Sequence, residues 1–474
     1  MKILVLPSEL RERAGEWAVL SALVLGSAIV VYHGYGQLLG VALLGFCFLM
    51  LGVVNARLAI MVLLTYAFFD GDIRRFVNSI YGWPAIDPLL LLVPVVGSIF
   101  GLSVLMRDKV DTPLSRMVLA LMLLMGLEIF NPLQGGLRVG LAGAFFYIPP
   151  LMFFWLGRHY ATSDFIERLL YQLVLPIAVL AAIAGYMQTF FGFTPWEQAW
   201  IRHVAASYMA LNVGGVIRPF AFFTSSAGYG MILSIGSAIA VAGIWLGHRR
   251  AAFTLLPLLP ALFMTSERAP IVKLLVAGLV MWALHRGGGK GWYMRVTLGG
   301  LATIGLLAFA LPHLMSSHPD FGQANALLTH EVGGLANPLN AKDSTLMIHL
   351  EMLGNGVLAG FTHPYGYGLG ATTAAAGKFA GEGIEGMSTE TDFGNMFVSL
   401  GFVGGIIYLV IIVRVFWTLI SDWQLRRQRA TLMILGILLA TGASWLIAGL
   451  YSSPLLLWLL IGATDAMTRK QEKT

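Results

Sequence analysis

Apolar residues run along this chain in long stretches that recur from one end to the other, without the short alternating segments of an outer-membrane barrel. A stretch of about twenty apolar residues can cross the hydrocarbon core as a helix, because a helix satisfies its own backbone amides. The pattern therefore predicts an all-α integral membrane protein with about 14 transmembrane helices. The predicted spans lie near residues 16–33, 37–55, 57–69, 86–106, 114–131, 139–157, 169–192, 226–246, 251–265, 270–285, 296–314, 392–413, 431–449 and 453–467.

The composition of the 474-residue chain points to the same class of protein. Hydrophobic residues make up 57% and charged residues 11%, whereas soluble domains carry about 25% charged residues. An ordinary soluble enzyme is therefore excluded. Cys47 is the one cysteine, so no internal disulfide is expected. We expect residues 1–474 to form a single polytopic membrane domain, with no cleavable signal peptide before the first span.

The distribution of basic residues predicts the orientation of the spans. If the N-terminus is cytoplasmic, most Lys and Arg residues fall in the short inner connections, as the positive-inside rule requires. Both termini are then cytoplasmic, and Lys273 lies inside a span. The outer side holds few basic residues: Arg74, Arg75, Arg138, Arg202, Arg218, Arg268, Lys342 and Lys378.

Two outer loops are long, about 193–225 and about 315–391, and long loops in compact proteins are usually functional or disordered. In the second loop Leu346, Leu350, Leu353 and Val357 recur at helical spacing, with Asp343 or Ser344 available as a cap. This predicts a short helix lying on the outer membrane surface. Packing over the bundle and gating of a substrate are equally compatible with it.

Two of the outer arginines lie beside helix starts. Arg218 precedes the helix expected from Ser226, and Arg268 lies in a tight turn between two spans. A guanidinium binds phosphate oxygens in a bidentate way, and a helix N-terminus adds partial positive charge. Together they predict an outer site for a pyrophosphate or an anionic lipid headgroup. Alternatively, each arginine reaches to the membrane surface or pairs with an acid such as Glu267.

A second group of candidates follows in the large outer loop. His363 stands at the head of a segment with glycines at 366, 368 and 370, which predict a turn and close backbone approach. This histidine is a candidate acid, base or phosphate donor, or a hydrogen-bonded residue of a structural loop. Glu390 and Asp392 precede the next span. Either carboxylate can take a proton from a sugar hydroxyl, although helix capping also favours acids there.

The remaining candidates are weaker. Asp70 and Asp72, expected in an outer loop, form a short acid pair that can hold a divalent ion. Glu128 and Lys273 are charges inside predicted spans, where they line a polar cavity or bind a neighbouring helix. No zinc-type cluster and no phosphate-cradling glycine loop occurs in the sequence, so neither a cofactor nor a metal is expected.

Four motifs, taken in order, resemble the O-antigen polymerase/ligase family. Arg218-Pro219-Phe220 with the serines at 225 and 226 resembles its first outer-loop motif, and residues 265–269 resemble its short Ser-Arg turn. Residues 364–370 are similar to its Pro-x-Gly-x-Gly segment, and residues 392–405 resemble the helix that follows. Ligases of this family carry a histidine just before that helix. Here Glu390-Thr391-Asp392 occupies the place, which favours a polymerase of the Wzy type.

The resemblance implies a membrane glycosyltransferase in the bacterial cytoplasmic membrane, active on the outer face without metal or nucleotide. It would polymerise oligosaccharide repeat units carried on polyprenyl pyrophosphate. Arg218 and Arg268 would bind the pyrophosphate, and Glu390, Asp392 or His363 would act on the acceptor. The expected partners are the lipid-linked donor and acceptor, the membrane and other polysaccharide-assembly proteins. No nucleic acid is expected.

Three alternatives stay open. A ligase would share this chemistry but transfer the glycan to another acceptor. A metal-dependent glycosyltransferase using a lipid monophosphate sugar would depend on Asp70 and Asp72. A flippase or transporter of lipid-linked glycan would need a polar path through the bundle, for which Glu128 and Lys273 are the clear intramembrane charges.

Overall fold

Helices make up almost all of the architecture in the computed structural model. It describes residues 36–84, 87–203, 211–213, 215–287, 291, 294–303, 322, 324–336, 340, 345–379, 386–447 and 449–469. The first helices are α1 (Gly36–Val54), α2 (Ala56–Tyr81), α3 (Pro88–Leu105), α4 (Pro113–Glu128), α5 (Leu137–Tyr160), α6 (Ser163–Phe191), α7 (Pro195–His203) and α8 (Ser226–Trp245). They continue with α9 (Arg249–Met264), α10 (Arg268–Arg286), α11 (294–303), α12 (Ala324–Ala336), α13 (Leu346–Thr362), α14 (Ala374–Phe379), α15 (Asp392–Arg426), α16 (Arg429–Ala440) and α17 (Ser453–Arg469). The strands β1 (Asn212–Val213) and β2 (Val216–Ile217) form a small antiparallel hairpin.

Seven of these helices are long and apolar enough to cross a membrane: α1, α3, α5, α6, α8, α10 and α15. Three shorter apolar helices, α9, α16 and α17, accompany them. The chain is therefore a helical membrane protein. The predicted span near 16–33 lies outside the described residues. Helix α8 occupies the centre, buried along most of its length against α6, α9, α10 and α16.

Helix α2 corrects the expectation of a span near 57–69 followed by a charged outer loop. The helix continues to Tyr81 because its charges find buried partners. Arg74 donates from Nε to Asp87 Oδ2 at 2.7 Å, and Arg75 is 2% exposed. A hydropathy pattern assigns charged residues to loops. Charged residues can nevertheless continue a buried helix when they form ion pairs with other buried groups. Asp70 and Asp72 therefore lie in this helix.

Helix α16 corrects the span predicted near 431–449, because it ends at Ala440 after 12 residues. The backbone beyond it turns, and Ala443 has a positive φ of 61°. The turn is held by side chains from other helices. The Trp445 amide donates to Asp392 Oδ2 at 2.8 Å, and Lys273 Nζ donates to Ser444 Oγ at 3.3 Å.

Helix α13 confirms the short helix predicted in the second long loop, although the proposed caps Asp343 and Ser344 lie outside the described residues. Its packing face includes only the second half of the leucine stripe, where Leu353 and Val357 are half-buried. Gly356 and Gly360 face α15, where a Cβ at Gly360 would come within 2.7 Å of the Phe397 ring. Leu350 is 51% exposed instead. The small residues allow the closest approach of the two helices, which the apolar period alone does not predict.

The glycine-rich segment after α13 forms a turn, as predicted, and it docks where α15 is kinked. Gly401 has φ 67° inside α15. There the Tyr367 amide donates to Val398 O at 2.8 Å, and the Gly368 amide donates to Ser399 O at 3.2 Å. The kink interrupts the backbone hydrogen bonds within α15. The carbonyl groups left without a helical partner accept instead from amides of the glycine-rich segment.

Candidate functional site

Arg218 lies between the β-hairpin and α8 and joins this segment to the turn between α9 and α10. Its Nε donates to Thr265 O at 2.7 Å, and its Nη2 lies 2.5 Å from Glu267 Oε1. The residue is 9% exposed. The structure thus places Arg218 in an ion pair with Glu267, which is the alternative that the sequence left open for it.

The segment between Arg218 and α8 is held by residues from α2 and α6. Arg75 donates from Nη1 to Phe223 O at 2.6 Å and from Nη2 to Ala221 O at 2.9 Å, and its guanidinium lies 4.7 Å from the centre of the Phe220 ring. Gln188 Oε1 accepts from the amides of Phe220 and Ala221. Sequence reasoning missed both residues, and for Arg75 the only signal was its presence among the few outer arginines.

Arg268 begins α10 and faces α12 rather than an acid. Its Nη2 donates to His330 O at 3.0 Å and lies 3.3 Å from Nε2 of the same residue. Ser266, with φ 58°, places its Oγ 3.0 Å from His330 Nδ1. The Nε of Arg268 is buried and has no hydrogen-bond partner, and the guanidinium makes no ion pair within the described ranges. The guanidinium is therefore hydrogen-bonded to His330 but not ion-paired in the described part of the chain.

Two titratable residues of α12 lie against this arginine. Glu331 is fully buried, and neither of its carboxyl oxygens has a hydrogen-bond partner in the described part of the chain. Burial raises its pKa to about 8, against the opposing effect of Arg268. Burial, followed by Arg268 and Arg218, lowers the pKa of His330. Both side chains are therefore largely uncharged at neutral pH, so the positive charge of Arg268 persists.

A histidine that sequence reasoning missed meets Glu390. His349 Nδ1 lies 3.0 Å from Glu390 Oε2, and the Thr345 hydroxyl lies 3.1 Å from His349 Nε2. The hydrogen bond between them raises the pKa of His349 and lowers the pKa of Glu390. The Glu390 carboxylate can only accept a hydrogen bond, and the Thr345 hydroxyl can donate one. In the neutral His349 ring the proton is therefore assigned to Nδ1 and the lone pair to Nε2. The arrangement is that of a base oriented by a carboxylate.

Asp392 begins α15 beneath the surface rather than on it. It is fully buried, and its Oδ2 accepts from the Tyr408 hydroxyl at 2.6 Å and from the Trp445 amide. Lys273 interacts electrostatically with both Asp392 and Glu267. Lys273 also donates to Ser444 Oγ, next to the Trp445 amide that donates to Asp392, so this lysine connects α10 to the start of α15. Asp392 contributes to the framework of the site, whereas Glu390, two residues earlier, carries the exposed carboxylate.

His363 lies at the other end of α13 from His349. The two histidines are separated by 14 residues of a nearly continuous helix, which is about 21 Å at 1.5 Å per residue. The Tyr367 hydroxyl lies 2.6 Å from His363 Nδ1, and the imidazole is exposed. His363 is therefore not part of the His349–Glu390 pair.

Asp70 and Asp72 do not form the paired metal ligands that one alternative required. Asp70 lies 3.5 Å from Arg74, whereas Asp72 accepts from Trp196 Nε1 at 3.0 Å. Residues two apart on a helix point in different directions, so one ion cannot use both carboxylates. In the regions that the structure describes, no group of three or more His, Cys, Asp or Glu residues is placed to hold a metal.

No protein-family model matches the chain, and no curated protein matches it. Two groups of side chains carry the candidate chemistry: the guanidinium of Arg268 with the uncharged acid Glu331, and the imidazole of His349 with Glu390. Such a set can stabilise a departing anion and accept a proton from a hydroxyl group.

Proposed function

We propose that this chain is a membrane glycosyltransferase that polymerises oligosaccharide repeats carried on polyprenyl pyrophosphate. The observation that supports it most directly is the meeting of segments that resemble the polymerase/ligase family. Arg218 binds Thr265 and Glu267, and Lys273 interacts electrostatically with Glu267 and Asp392. Residues far apart in the sequence are thus brought together at the turn that precedes Arg268.

The proposal includes about 14 spans and an active face outside the cytoplasmic membrane. Long-range ion pairs support this topology, because each joins residues that it assigns to the same side. Arg218 with Glu267 joins two separate segments of the predicted outer side. Arg469 with Asp108 joins two separate segments of the predicted inner side.

In the proposed reaction the acceptor hydroxyl oxygen attacks the anomeric carbon of the donor sugar. The bond from that carbon to the pyrophosphate oxygen breaks, and the lipid pyrophosphate leaves with the electron pair. His349 Nε2 takes the hydroxyl proton, and Glu390 holds the imidazole in position. Arg268 stabilises the charge that develops on the leaving group. Arg218 acts through Glu267 and Thr265 to position the turn that presents Arg268.

The test is polymer formation by the full chain in liposomes supplied with lipid-linked repeat units. We expect Arg268→Ala to reduce the rate by about 100-fold or more, as for loss of a charge-stabilising donor. Arg268→Lys should be intermediate, because an ammonium keeps the charge but loses the fork. Arg202→Ala removes an exposed arginine of α7 and is the matched control. Wild-type rates in Arg268→Ala would overturn the assignment.

The ligase alternative is favoured by one observation, the histidine that meets Glu390. Ligases of the family carry a histidine just before the helix that α15 resembles, and here His349 reaches the same place from α13. Deletion of the gene distinguishes the two activities. Loss of long glycan with accumulation of single repeat units indicates a polymerase. Accumulation of long lipid-linked polymer that never reaches its anchor indicates a ligase.

A further inference from the structure

A cleft of about 340 Å³ opens between the turn that joins α4 to α5 and the glycine-rich segment after α13. Its lining includes Glu128, Phe130, Asn131, Leu133, Tyr365 and Gly366. The volume lies within the range of about 300–1,000 Å³ that is usual for small-molecule sites. Neither Arg268 nor the His349–Glu390 pair belongs to this cleft.

The walls of the cleft are fixed by hydrogen bonds between its two segments. Asn131 Nδ2 donates to Glu128 Oε2 at 2.7 Å and to Gly366 O at 3.1 Å. Gln134 Oε1 accepts from the Gly370 amide at 2.9 Å. Glu128 is 8% exposed, and its other carboxyl oxygen accepts no hydrogen bond from the described residues. The buried Glu128 carboxylate thus lines the cleft and has one oxygen that can accept a hydrogen bond from a ligand.

The rings that flank this carboxylate are unusually open. Phe130 is 71% exposed and Tyr365 is 86% exposed. Aromatic rings offer flat apolar surface, and a carboxylate accepts strong hydrogen bonds from hydroxyl groups. A neutral sugar presents both an apolar C–H face and hydroxyl donors. A diphosphate would be repelled by the carboxylate, so this cleft does not duplicate the site at Arg268.

The position of the cleft relates it to the proposed transfer site. Gly366 docks beside Ser399 of α15, seven residues and about 10 Å along the helix from Asp392. The apolar side chains that α15 exposes begin just beyond, at Phe402 and Val403. The cleft lies about 20 Å from His349, beyond the opposite end of α13. Several linked sugars are needed to bridge that distance.

We propose that this cleft is a second glycan-binding site, which holds a neutral sugar of the growing chain away from the transfer site. The proposal rests on the polymerase function. It assigns to the glycine-rich segment the role of building one wall of the glycan site. Retention at a second site slows dissociation of the chain, so the cleft should control polymer length rather than the rate of a single transfer.

The experiment compares Tyr365→Ala and Glu128→Gln with wild type in liposomes, measuring polymer length and the rate of the first transfer. We expect both variants to shorten the modal polymer by about two-fold or more, because weaker retention raises the dissociation rate. The first transfer should be unchanged. Tyr81→Ala removes another exposed tyrosine, 74% exposed on α2, and is the matched control. Size-exclusion profiles check folding, and Tyr365 is exposed enough for its loss to be tolerated.

Each result separates this proposal from the polymerase assignment. Wild-type polymer length in both variants, together with loss of polymer in Arg268→Ala, would overturn the cleft alone. If Glu128→Gln shortens the polymer but Tyr365→Ala leaves its length at the wild-type value, a sugar does not stack on Tyr365. That result would indicate a cationic ligand instead. Absence of polymer from the wild-type chain would remove both proposals.

Discussion

Two clusters of charged side chains contrast within this molecule. The Arg158 cluster comprises Arg158 and Arg469 with Asp108, Asp111 and Asp465, where α5 and α17 end. Arg158 donates to Asp465 at 2.6 Å and to Asp108 at 2.9 Å, and it also pairs with Asp111. Arg469 pairs with Asp108 and Asp111. No buried side-chain nitrogen or oxygen of these five residues lacks a partner.

The Arg268 cluster comprises Arg268, Arg218, Glu267, His330 and Glu331, and it is only partly satisfied. Arg218 and Glu267 pair with each other, but the Nε of Arg268 and both carboxyl oxygens of Glu331 have no hydrogen-bond partner in the described ranges. Unsatisfied buried polar groups cost stability. The fully paired Arg158 cluster stabilises the fold. The Arg268 cluster instead retains donor and acceptor atoms that can form hydrogen bonds with a ligand.

The sharpest test of the contrast is loss of the central arginine of the Arg158 cluster. Arg158→Ala removes the ion pair of the buried Asp465 carboxylate and one of the arginine partners of Asp108, so we expect destabilisation of about 3–5 kcal/mol. The measurement is the thermal unfolding midpoint and the yield of monodisperse protein in detergent. Arg414→Ala, at an exposed position of α15, is the control. Unchanged stability in Arg158→Ala would remove the structural role of this cluster.

Arg268→Ala should show the opposite behaviour. We expect its unfolding free energy to fall by only about 1 kcal/mol, since one hydrogen bond to His330 O but no ion pair is lost. Its polymerisation rate should fall by about 100-fold or more. Measuring both quantities on one preparation separates binding from folding. A loss of stability comparable to that of Arg158→Ala would show that the two clusters do not differ in kind.

The His349–Glu390 pair predicts a pH dependence. His349 acts as a base only when neutral, so activity should rise as pH passes its pKa, which the hydrogen bond to Glu390 raises above the ordinary value. His349→Ala should lower the rate by about 100-fold. Glu390→Gln removes the carboxylate, so the rising limb should move to lower pH. An unchanged pH–rate profile in Glu390→Gln would contradict the proposed coupling.

Glu331 predicts the smallest effect, at alkaline pH. Its carboxyl group, with a pKa of about 8, is mainly protonated at neutral pH and ionises above that value. The resulting carboxylate would compete with the diphosphate for Arg268, so wild-type activity should decline a few-fold between about pH 7 and pH 9. Glu331→Gln keeps the shape without the charge and should abolish the decline. A decline that persists in this variant would assign it to another group.

Several local features were predicted because neighbouring residues determine them. Helix α13 follows from its apolar period, and the turn at Gly366 and Gly368 follows from glycine, which adopts their positive φ values of 78° and 97°. The packing of α13 was not predictable, because contact with α15 buries Gly356 and Gly360 and leaves Leu350 exposed. Arg268 was a sequence candidate, but its difference from Arg218 depends on where Glu267 points.

The sequence by itself determined that this chain forms apolar helices suited to a membrane, because the transfer free energy of a segment depends on its own residues. It also identified the positions of the unusual arginines and acids. Only the tertiary structure decided that α2 retains its charges inside a helix and that His349 meets Glu390. Such pairings join residues distant in sequence, and their energies depend on burial and distance, which hydropathy and spacing do not contain.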